Sequence, residues 1–85
     1  MNVLKQKMVL KKLNNIQPEE LVKYAKEIDE TLTLQQAQKI SALVNGKNIN
    51  IFHLQERLAL LKNVSMITSP QVSRKLNELF NEFLS

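Results

Sequence analysis

The chain has no cysteine, one glycine, two prolines, one histidine and one aspartate. Without cysteine there are no disulfides and no thiolate metal sites, which fits a reducing compartment and makes the cytoplasm the expected location. A single glycine, Gly46, cannot build a glycine-rich phosphate loop. His53 has no cysteine or second histidine with which to complete a zinc site. It also precedes Ser65, Ser69 and Ser73 without forming a nucleophile–base pattern. Acid–base catalysis by paired carboxylates needs two acids in one cleft with separated pKa values. Asp29 and the glutamates instead fall mostly on polar helix faces, Glu78 and Glu82 beside Lys75 among them. The segment NGKNINIF, residues 45–52, has no carboxylate before Glu56, which rules out a calcium loop. No apolar run exceeds Leu58-Ala59-Leu60-Leu61, far short of the roughly 20 residues of a membrane span. Neither an enzyme, a cofactor nor a metal is expected.

What is present is lysine at one end. Lys5, Lys7, Lys11 and Lys12 fall in residues 1–15 with no acid, and the remaining basic and acidic residues cancel, so the whole net charge of +4 belongs to that segment. Such an arm suits nucleic acid, an anionic surface or an acidic partner, or simply keeps an exposed helix soluble. With 85 residues, the chain forms one domain (1–85) that hides only roughly 60–65% of its unfolded surface. Pairing with a second copy would help it.

There is almost no period-2 alternation, and the pattern predicts an all-α domain of four or five helices, near 2–13, 18–29, 34–45, 51–66 and 70–84. In the first, Val3, Leu4, Met8, Val9, Leu10 and Leu13 spread around the circumference. A helix apolar on several sides is sandwiched, self-associating or only loosely held by its own domain. Pro18 opens the second helix, with Glu19 and Glu20 at its positive end and Leu21, Tyr24, Ala25 and Ile28 as its stripe. Thr33 and Gln36 make a capping box for the third, whose inner face is Leu34, Ala37, Ile40, Ser41 and Val44. Gly46 stands where a left-handed stop is wanted. Asn50 is the expected cap of the fourth helix, with Ile49 stapled on Leu54 and a stripe of Ile51, Leu54, Leu58, Leu61 and Ser65. Thr68-Ser69-Pro70 starts the fifth, whose stripe is Val72, Leu76, Leu79, Phe80 and Phe83.

Two binding surfaces follow. A protein-interaction or self-association face would combine Lys5, Lys7, Lys11 and Lys12 with the apolar residues of the first helix. Lys47 and Asn48 join it as candidate contacts because neither has a folding task legible in the sequence. The alternative is nucleic acid, read by Gln35, Gln38 and Lys39 on the outer face of the third helix while the lysines meet phosphates. Against it, the five-residue joint after the third helix is long for a helix-turn-helix. The balanced charge beyond residue 15 also lacks a basic stripe.

The segments ELVKYAKE, LTLQQAQKI, GKNINIF, QERLALL and ITSP, which together span nearly the whole chain, give it a family likeness. It resembles the YqfT-like family of uncharacterised small proteins, a domain of unknown function from Gram-positive bacilli and relatives. The resemblance implies a cytoplasmic, bacterial, predominantly helical protein. It transfers no activity and no functional residue to any position.

Overall fold

A computed structural model describes residues 3–84, with side chains described through residue 82. Among the described residues there are five helices and no strand: α1 (Val3–Leu13), α2 (Pro18–Glu27), α3 (Leu34–Val44), α4 (Leu54–Ile67) and α5 (Pro70–Leu84). The radius of gyration, 11.9 Å, matches the roughly 12 Å of a compact domain of this length. Surface grooves are therefore features of a closed fold and not signs of expansion. The expected start at Asn2 and the side chain of Phe83 lie outside the described residues.

Local signals set most boundaries. The Thr33 hydroxyl accepts from the Gln36 N–H and the Gln36 side chain accepts from the Thr33 N–H, both at 3.0 Å, completing the capping box. Glu20 accepts the Gln17 N–H at 3.1 Å ahead of Pro18. Ser69 accepts the Val72 N–H at 3.2 Å to cap α5. Gly46, at φ 72°, stops α3 in the left-handed region.

Helix α2 ends at Glu27, two residues before its expected end, through a Schellman turn. The Glu30 N–H reaches the Ala25 carbonyl at 2.8 Å and the Asp29 N–H reaches Lys26 at 3.1 Å. Asp29 takes the left-handed position with φ 58°, where glycine is usual. From α5, Lys75 Nζ donates to the Ile28 carbonyl at 3.1 Å and pairs with Glu30 at 3.0 Å, placing a cation at the negative end of α2.

The fourth helix differs most from expectation. It begins at Leu54, with His53 rather than Asn50 at the cap position and no side-chain capping bond. Asn50 instead stabilises a turn, its side-chain oxygen accepting the Phe52 N–H at 2.9 Å. That turn drives Ile51 into the core at 1% exposure, where a helical start would have kept it on the α4 surface. The inner face of α4 is Leu60, Leu61 and Val64, whereas Leu54 and Leu58 are 56% and 53% exposed. The Ile49–Leu54 staple does not form: Ile49 packs on the core cluster and Leu54 faces out.

The core joins Ile16, Leu32, Ile40, Val44, Ile51, Leu60, Leu61, Val64 and Phe80, with Ala25 and Ala37 where helices approach closely. Helix α4 packs mainly on α5 and α2 on α3, and α3 also contacts α4. Helix α1 has no buried residue. Val9, Leu10 and Leu13 rest half-buried on the core.

The two left-handed stops predict opposite responses. A Cβ at Gly46 would meet nothing within 4 Å, so Gly46→Ala should lose about 1 kcal/mol purely through its backbone. Asp29→Gly should gain up to about 1 kcal/mol, because it relieves a left-handed non-glycine residue and removes a negative charge from a helix C-terminus. Urea midpoints measure both, and an unchanged midpoint for Gly46→Ala would contradict the assignment.

Candidate functional site

The end of α1 is tied down by amide side chains. Asn14 Nδ2 donates to the Ile49 carbonyl at 3.1 Å while its Oδ1 accepts the Ile49 N–H at 2.9 Å. One side-chain amide thus pairs with a backbone residue as a neighbouring strand would. The Asn14 carbonyl accepts the Gly46 N–H at 3.1 Å. Beside it, the buried Ser41 hydroxyl and Asn45 Nδ2 both donate to the Ile16 carbonyl at 2.9 Å. The α1–α2 joint is stitched in this way to the end of α3 and the joint that follows. Asparagine serves because its short amide reaches nearby backbone groups once a helix stops.

These bonds also occupy backbone groups of the 45–50 joint. The Gly46 and Lys47 N–H groups are committed to Asn14 and Val44, so they do not form an anion-binding nest. Asn48 has a folding task after all, a left-handed turn at φ 55°. A small recess of about 440 Å³ brings Lys11 and Asn48 together with Asn14, Asn15 and Asn50. Its amides are largely spent internally: Asn15 donates to the Lys11 carbonyl and Asn50 holds the Phe52 turn.

The larger feature is an apolar groove of about 1010 Å³ between α1, α2 and α5. Met8, Val9 and Leu13 form one wall, Leu21, Tyr24 and Ile28 the second, and Leu76, Leu79 and Phe80 the third. Its floor is the core itself, reached at Ile40, Val44, Ile51 and Val64. Along the rim, Lys12 pairs with Glu20 across the α1–α2 joint. That contact holds the Lys12 ammonium above its usual range. The Glu20 carboxyl is lowered by the same hydrogen bond and by the Gln17 N–H. Glu30 is lowered by Lys75 first and Gln71 second.

Of the lysines singled out in the sequence, Lys5 and Lys12 line the groove, Lys7 is exposed on the far face of α1, and Lys11 lies in the recess. Lys47 is exposed in the joint. Gln35, Gln38 and Lys39 are exposed on α3 and line neither the groove nor the recess. Tyr24, Leu76 and Leu79, from the apolar stripes of α2 and α5, form groove walls and are only partly covered, with Leu76 also packed against the core. Helical periodicity does not mark Asn14, whose role depends on a side-chain amide that bonds backbone groups distant in sequence.

Ser41 and Ser73 are buried and donate to the carbonyls of Ile16 and Leu61. His53 is exposed, with Nδ1 3.6 Å from Glu56. Among the described residues, no group of three or more His, Cys, Asp or Glu side chains could hold a metal ion. No helix there is long and apolar enough to cross a membrane.

Asn14→Ala should lose about 1–3 kcal/mol in urea unfolding, since it strands the N–H and C=O of Ile49. Acid should weaken the fold as well. The lowered carboxyls of Glu20 and Glu30 contribute stability that is complete above about pH 4.5 and is lost as pH falls through their folded values. Urea midpoints followed from about pH 7 down to about pH 3 should fall at the acid end, and less so in Glu30→Gln. Equal slopes in the two proteins would remove Glu30 from the account.

Comparison with known proteins places the chain among relatives without an assigned activity. Over 83 residues it is 42% identical to the uncharacterized protein YqfT of Bacillus subtilis (strain 168), an alignment covering 98% of this chain and 99% of that protein. No solved structure matches. Residues 1–84 match the family described as "Protein of unknown function (DUF2624)", and the chain belongs to that family.

Proposed function

We propose that this protein is a non-catalytic interaction module, acting in the cytoplasm through the outer face of α1 and the groove beside it. One observation carries the reading. Val3, Leu4 and Met8 are 66%, 70% and 65% exposed on a helix with no fully buried residue, next to an apolar groove floored by the core. Large apolar side chains grouped beside such a groove mark an association surface more often than a casual exposure. The groove is at the upper end of small-ligand volumes, and its walls of three helices suit the side-chain row of a further helix. Leu54, Leu58 and Met66 are exposed too, but they do not line the groove.

Solution mass over a concentration series tests the self-associating form. Growth of a dimer with concentration is expected. Leu4→Gln with Met8→Gln should suppress it while leaving the helical circular dichroism intact, since neither side chain is buried. A strict monomer at high concentration would contradict self-association.

A further inference from the structure

We propose that the occupant of the groove is helix α1 of a second copy of this chain, in a two-fold dimer where each copy lays its α1 into the other's groove. This rests on the interaction reading above and specifies its partner and its geometry.

Helix α1 has two opposite faces. Gln6, Val9, Leu10 and Leu13, at spacings i, i+3, i+4 and i+7, are half-buried and turn toward the domain. Leu4, Lys7, Met8 and Lys11 repeat the same spacing on the other side and are exposed, with Met8 at the edge where this face meets the helix's own groove. The second face alternates apolar and cationic side chains, and the helix contains no acid.

The groove has the matching character. Its walls are apolar, and its rim includes Glu27, Asp29 and Glu78. Of the rim cations, Lys12 is committed to Glu20 and Lys75 to Glu30, and Lys5 is engaged as well. Among the described residues, Glu27, Asp29 and Glu78 form no ion pair, nor do Lys7 and Lys11. A basic apolar ridge and an acid-rimmed apolar groove on one molecule are complementary to each other. A surface that complements itself closes as a two-fold dimer, with the contact made twice.

Size and position agree. The 11 residues of α1 span about 16 Å, within the 23 Å breadth of the molecule. Because α1 is also a wall of its own groove, an incoming α1 would lie beside the resident one. The two insertions therefore merge into one continuous interface across the axis. Charge complementarity of this kind sets the choice of partner and its register.

A charge exchange tests this directly. One variant, Lys7→Glu with Lys11→Glu, has an acidic ridge and an acidic rim. The other, Glu27→Lys with Glu78→Lys, has a basic ridge and a basic rim. All four positions are exposed. Sedimentation equilibrium should show the wild type dimerising, each variant alone at least about tenfold weaker, and a 1:1 mixture recovering dimer at near wild-type strength, because both contacts in the mixed pair are of opposite sign. If the wild type dimerises and either variant matches it, or if the mixture recovers nothing, the groove–α1 arrangement is wrong while self-association by another face survives. A strictly monomeric wild type overturns both. Should a double variant lose its helical circular dichroism, Lys11→Glu and Glu78→Lys as single variants give the same comparison.

Discussion

The side-chain amide of Asn14 helps to hold the first helix to a domain that fully buries none of its residues. It bonds both backbone groups of Ile49, and the Asn14 backbone carbonyl accepts the Gly46 N–H. Two chain segments 35 residues apart are fixed at that point, and several features depend on their register. Ile16 enters the core immediately after the tether, its carbonyl held by Ser41 and Asn45. Ile51 enters immediately after Ile49 at 1% exposure. Each backbone group in this crossing that finds a side-chain partner is spared the cost of burial without one.

The same tether explains why the surface is unfinished. It secures the C-terminal end of α1, while Val9, Leu10 and Leu13 supply the only half-buried apolar contacts along the helix. The walls of α1, α2 and α5 do not close over the core between them, and a groove remains. Small domains have little apolar surface to spare for closing such gaps. Val3, Leu4 and Met8 on α1 are among the large apolar residues left exposed.

Much of the fold was legible in the sequence because its signals are local. The Thr33–Gln36 box, Pro18, Ser69-Pro70 and the stop at Gly46 involve residues within a few positions of one another, and each appears where its spacing requires. The fourth helix misled because Leu58, Leu60 and Leu61 permit two faces about 80° apart. Periodicity chose the face through Leu54 and Leu58, whereas the long-range demand to bury Ile51 selected the one through Leu60 and Val64. Asparagine takes left-handed backbone more often than most non-glycine residues, but with Asn45, Asn48 and Asn50 in one joint, composition does not show which of them turns. The groove was illegible for a related reason. A stripe such as Val72, Leu76, Leu79 and Phe80 shows that α5 has an apolar face, but how far its neighbours cover that face depends on where α1 comes to rest.

Native-state hydrogen exchange at the amides of Gly46 and Ile49 tests the tether most directly. Both lie in an irregular joint outside any helix, where exchange should be fast unless Asn14 engages them. If the tether organises the fold, the two amides are protected to a similar degree, approaching that of the α3 and α4 interior. Exchange of both at unfolded-chain rates, while α3 and α4 stay protected, would show that the crossing is not held as described and that α1 is not fixed by it.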